Sequence, residues 1–86
     1  MDAERHDTVT VTFNGQDKEI AYQPNATVVA LLEHAKQAFG ALPNQHLLSL
    51  FNQAGVELQD NQSARDAGIV PGALLVLRQS TVKGGA

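Results

Sequence analysis

A strictly alternating run that ends in Asn-Gly constrains this chain more than any other feature. In Thr8-Val9-Thr10-Val11-Thr12-Phe13, the residues Val9, Val11 and Phe13 share one face and three threonines share the other, which is the period of a half-buried strand. Asn14-Gly15 follows, and an Asn-Gly pair readily takes the positive φ angles of a tight hairpin. A second strand over residues 18–23 is therefore expected to return antiparallel, with Ile20 and Tyr22 facing the core and residues 14–17 as the loop. Pro24-Asn25-Ala26-Thr27 then breaks the strand and offers the Thr27 hydroxyl as a helix N-cap. The spacing of Val28, Leu31, Ala35 and Phe39 predicts a helix over residues 28–39, flanked on its buried stripe by Leu32 and Ala38 and closed by Gly40.

The remainder reads as strands and turns. Ala41-Leu42-Pro43-Asn44-Gln45 leads to a third strand at residues 47–51, and Val56-Glu57-Leu58 makes a short fourth after a turn at Gly55. Residues 63–68 form one helical turn or a loop, Pro71-Gly72 is a turn, and residues 73–78 form the final strand. Strand, strand, helix, strand, short strand, strand places one amphipathic helix on one sheet, an α+β arrangement. Residues 1–7 are expected to be a flexible lead-in, 8–78 the folded domain, and 79–86 a flexible tail.

A chain of 86 residues is one domain with little surplus core, which leaves scant room for a catalytic cleft. The net charge of −3 is spread along the sequence and argues against nucleic acid and against anionic membrane surfaces. No apolar stretch approaches a membrane span and the opening residues lack a signal-peptide core, so a cytoplasmic location is expected. Without cysteine the chain forms no disulfide and carries no thioester of its own. His6, His34 and His46 lack neighbouring ligands and read as solvated, and Glu33 with Lys36 reads as a surface pair. No nucleophilic triad, phosphate loop or dinucleotide fingerprint is present, so neither enzymatic activity nor a cofactor or metal is expected.

The third strand poses a packing question. A strand sends neighbours to opposite sides, so Leu48 and Leu50 in the core leave Leu47 and Phe51 to be covered elsewhere. Either they pack against the following turn, or Leu47, Ser49, Phe51 and Val76 form an exposed patch that meets a partner, and the patch is the expectation.

The order of elements, with the residues at its joints, resembles ubiquitin and the β-grasp family over residues 8–85. Pro24-Asn25-Ala26-Thr27-Val28 is similar to the proline, polar pair, capping threonine and first buried helical residue of ubiquitin, with Gly40 at the matching interval. Pro43-Asn44-Gln45, Gly55-Val56-Glu57-Leu58 and the segment from Ser63 to Ile69 resemble its Pro-Asp-Gln, its Gly-Lys-Gln-Leu and its Thr-Leu-Ser-Asp-Tyr-Asn-Ile. Leu74-Leu75-Val76-Leu77-Arg78 resembles the strand that delivers the Gly-Gly tail. The resemblance implies a mixed sheet of four to five strands packed on one α-helix. There are also departures: Ser49 stands near the isoleucine at the centre of ubiquitin's binding patch, and Val56 stands where a chain-linking lysine would be. Lys18, Lys36 and Lys83 remain as acceptor amines. Bacterial ubiquitin-like proteins encoded beside conjugation enzymes share such divergence.

By this resemblance, Gly84 and Gly85 are the conjugation residues and Ala86 a residue removed by processing after Gly85. The expected function is that of a protein modifier. The implied partners are an ATP-using activating enzyme, a conjugating enzyme, a JAMM-type zinc peptidase and target proteins. Leu47, Ser49, Phe51, Val76 and Arg78 would meet them. A Gly-Gly pair alone marks only a flexible end, and its place after a final strand is what gives it meaning. The alternatives are a sulfur carrier ending in a thiocarboxylate and a noncovalent interaction module.

Overall fold

A computed structural model describes residues 7–40 and 45–82. Strand β1 (Asp7–Phe13) turns through Asn14 and Gly15, at φ 55° and 85°, into β2 (Gln16–Tyr22). The pairing is antiparallel, with Phe13 opposite Gln16 and Val9 opposite Ile20. Both central turn residues have positive φ, so the hairpin closes in two residues and β2 begins two residues earlier than the sequence predicts. Helix α1 (Val28–Phe39) keeps its expected bounds. The Thr27 hydroxyl accepts from the Ala30 amide at 3.3 Å, and the Gly40 amide donates to the Lys36 and Gln37 carbonyls.

A 3₁₀ turn (Gln45–Leu47), not anticipated from the sequence, precedes β3 (Leu48–Phe51), and β4 (Leu74–Gln79) completes the sheet. The strand order is β2-β1-β4-β3, with β1 and β4 parallel at the centre and antiparallel pairs at both edges. The sheet is therefore mixed and has four strands among the described residues. Residues 56–58 form no strand of their own: Glu57 makes a single antiparallel bridge to Phe51. Residues 63–68 are turns, and they dock on the start of α1. Val28 and Val29 amides donate to the Gln62 and Asp60 carbonyls, which satisfies first-turn donors that no helical carbonyl can reach.

Between helix and sheet lies the core. Val9, Val11, Ile20, Leu31, Leu32, Leu50, Leu75 and Leu77 are all buried, joined from the irregular segments by Leu58, Ala64 and Ile69. At about 1.5–3 kcal/mol for each large side chain taken from water, this cluster supplies the dominant stabilising term. Two features of the helix differ from the expected stripe. Ala38 is exposed and Phe39 half-buried, edge-on to Phe13 with ring centroids 5.6 Å apart. Lys36 is buried at 8 % exposure, its aliphatic stem lying along the domain while its ammonium pairs with Glu33 at 3.3 Å.

Candidate functional site

The side of the sheet opposite the helix holds most of the residues singled out as partner-binding. Strand alternation puts Ser49 and Phe51 of β3 there, and the β3–β4 register sets them opposite Arg78 and Val76. This arrangement corrects the expected exposed patch. Ser49 is 1 % exposed and Phe51 3 % exposed, so neither offers surface to a partner. Packing against the following turn covers them instead. The Asn52 side chain accepts from the Ala54 and Val56 amides, and the Asn52 amide donates to the Val56 carbonyl. The chain thereby folds back so that Glu57 lies beside Phe51, while the Arg78 guanidinium sits 5.1 Å from the centre of the Phe51 ring. Leu47, Val76 and Arg78 do come together: with Thr12, Phe13 and Asn14 they line a shallow open groove of about 620 Å³.

Glu57 was given no role by the sequence, yet it is the most strongly bonded side chain in this region. Its Oε2 accepts from the Ser80 hydroxyl at 2.5 Å, and its Oε1 accepts from the Thr81 amide at 3.0 Å and the Thr81 hydroxyl at 2.7 Å. The Ser80 amide donates to the Leu47 carbonyl, which extends the β3–β4 pairing past the end of the strand. Burial raises the carboxyl pKa, but the bonds from Ser80 and Thr81 outweigh it and hold the group at about 2. The Ser49 hydroxyl adds a weaker pull, since it lies beside the carboxylate without reaching a regular hydrogen bond. The expected tail from Gln79 onward is thus tied to the body as far as Thr81, and the Val82 amide donates in turn to the Ser80 hydroxyl. No sequence signal marks this contact, because Glu57 and Ser80 are 23 positions apart.

Gly84 and Gly85, expected as conjugation residues, Ala86, expected to be removed by processing, and the candidate acceptor Lys83 lie outside the described residues. Val82, the last one described, is 70 % exposed. Of the other two candidate acceptors, Lys18 is exposed, its ammonium 5.9 Å from the centre of the Phe39 ring, whereas Lys36 is buried against Glu33 and presents its amine poorly. Among the described residues no three His, Asp or Glu side chains gather as a metal site, and no helix is long and apolar enough to cross a membrane.

The folded body has well-defined structural relatives. A designed protein based on ubiquitin superposes with a TM-score of 0.76 at 21% identity, covering 94% of this chain and 96% of the other. The fold is a ubiquitin-like β-grasp. The ubiquitin of Caldiarchaeum subterraneum matches with a TM-score of 0.72 at 28% identity over 94% of this chain and all of that one. The UBL domain of Plasmodium falciparum Dsk2 matches with a TM-score of 0.73 at 21% identity over 88% and 100% of the two chains. No family model matches the sequence, and no curated protein matches it.

Proposed function

We propose that this protein is a ubiquitin-like modifier that is joined to targets through the carboxylate of Gly85. The observation that carries the reading is the place of the Gly-Gly pair. It follows by two residues the exposed Val82, at the end of a strand whose exit is anchored on the body's surface. The match to an archaeal ubiquitin over its full length supports it. The body acts as a docking block and the chain itself is a substrate, not a catalyst. A partner peptidase, of the zinc-dependent JAMM type, cuts after Gly85 and removes Ala86 with whatever follows. An activating enzyme then adenylates the new carboxylate with ATP, releasing pyrophosphate, and its cysteine displaces AMP to form a thioester. An amine, such as the one at exposed Lys18 of another copy or a target lysine, finally displaces the thiol. Glycine suits both positions because the absence of a Cβ lets a nucleotide and a thiolate approach the backbone closely. Bacterial conjugation systems with their own activating enzymes are the setting we favour, with a cytoplasmic location.

The test is activation in vitro. Chain ending at Gly85, incubated with an activating enzyme and ATP, is expected to form a thioester that added thiol cleaves, whereas chain that retains Ala86 forms none. An adduct that persists when the Gly85 carboxylate is blocked as an amide contradicts the carboxylate route.

A second reading has one observation in its favour. The groove lined by Leu47, Val76 and Arg78 needs no tail, and the likeness to the Dsk2 UBL domain fits a noncovalent module. Full partner binding after deletion of residues 84–86 is the result that would favour it.

A further inference from the structure

Glu57 collects three donors from two consecutive residues at the root of the C-terminal arm. A carboxylate suits that task because both oxygens only accept. An amide in its place offers one acceptor oxygen and turns an NH₂ group toward hydroxyls and an amide that themselves donate. Glu57 in turn is fixed by its bridge to Phe51 and by the Leu58 amide, which donates to the Leu50 carbonyl. The arm is therefore held by a side chain that is rigidly tied to the core.

The bonds shorten the arm. From Arg78 to Gly85 an extended chain spans roughly 25 Å at about 3.3–3.6 Å per residue, but from Thr81 the same limit is roughly 14 Å. An enzyme that takes the Gly85 carboxylate must then bring its nucleotide site within that distance of Thr81. The surface that adjoins the anchor, and that Glu57 and Val82 both line, is a shallow groove of about 340 Å³ shared with Leu58, Gln59, Asp60 and Asn61.

We infer that Glu57 is a positioning residue: by holding Ser80 and Thr81 it fixes where the arm leaves the body, and so where an activating enzyme docked on the turn at residues 57–61 meets the Gly85 carboxylate. The inference rests on the conjugation reading. It adds to that reading a residue and a surface that the Gly-Gly tail alone does not specify. Holding the arm limits the volume its end explores, so release should slow capture of the terminus without weakening the docking of the body.

Two measurements separate the parts of this claim. The first is amide hydrogen exchange at Thr81 and Val82 by NMR, in the wild-type chain ending at Gly85, in Glu57→Gln and in Thr81→Val. The second is thioester formation with an activating enzyme and ATP, resolved into kcat and KM, for the same three chains and for a wild-type chain with two glycines inserted after Val82. Glu57→Gln is expected to speed Thr81 exchange by about tenfold while Val11 and Leu75 amides stay protected. It should lower kcat by about tenfold with KM within about twofold, and the two-glycine insertion should reproduce that loss without touching the anchor. Thr81→Val, which keeps the amide bond and the shape, should fall between and carries the test if Glu57→Gln does not fold. Slow Thr81 exchange in Glu57→Gln overturns the anchor. Released Thr81 with unchanged kcat overturns the positioning role alone. A wild-type chain protected at Thr81 that forms no thioester overturns the conjugation reading, and the positioning role with it.

Discussion

On the helix side of the sheet, Val11, Leu50, Leu75 and Leu77 are sealed by apolar side chains that alternate along their strands. On the other side, Ser49 and Phe51 are sealed to a similar degree by different means: a guanidinium over the ring, a carboxylate turned back by Asn52, and the chain's own exit segment. The first kind of burial is non-directional and tolerates many apolar substitutes. The second depends on donors and acceptors that must meet in one geometry. Stability should therefore be concentrated on the helix side, and control of the tail on the other.

The largest test of that contrast is Leu50→Ala. Leu50 is fully buried at the centre of the core, so its truncation should cost about 3–4 kcal/mol in urea unfolding, while exchange at Thr81 stays slow relative to global opening. A loss below about 1 kcal/mol would place the main support elsewhere.

Glu57→Ala sharpens the comparison through pH. The folded carboxyl, at about 2, lies below its ordinary value of 4.5, so its contribution is fully present above about pH 4.5 and is lost as pH falls toward 2. The shift alone corresponds to roughly 3 kcal/mol, and partial solvent exposure reduces the expected effect to about 1–2 kcal/mol. Urea midpoints of wild type and variant should thus differ at neutral pH and converge near pH 2. Curves that stay parallel across that range would show that Glu57 is not ionised against its donors.

Thr27→Ala removes the cap of α1 and should cost about 1 kcal/mol, a local effect on the helix side that leaves Thr81 exchange unchanged. Ser49→Ala should be the mildest change, within about 0.5 kcal/mol in thermal or urea unfolding, because the buried hydroxyl has no regular hydrogen bond to lose. A larger cost would mean that Ser49 supports Glu57 more strongly than its geometry indicates.

The same division explains what could be read from the chain. The bounds of α1, the faces of β1 and the closing hairpin followed from the spacing of Val9, Val11 and Phe13, from Asn14-Gly15 and from the Thr27 cap, all signals carried by neighbours in sequence. The core's share from Leu58, Ala64 and Ile69 lies in irregular segments without a period and was not legible. On the outer side the sequence showed a surplus of apolar residues in β3 but not what covers Phe51, since that depends on Arg78 and on a turn closed by Asn52. The anchor at Glu57 needs the β3–β4 register and the Phe51 bridge together, which no local pattern encodes. Likewise, helical spacing put Lys36 on the surface, whereas it is buried alongside the core.

The central claim is that Gly85 becomes the acyl group joined to other proteins, and its most direct test is mass spectrometry of the protein and its adducts from the cells that make it. Trypsin cuts after Lys83, so every attached copy should leave a Gly84-Gly85 remnant on its acceptor, and free protein should include chains ending at Gly85. Finding only free chains that retain Ala86, with no remnant on any protein, would contradict the account.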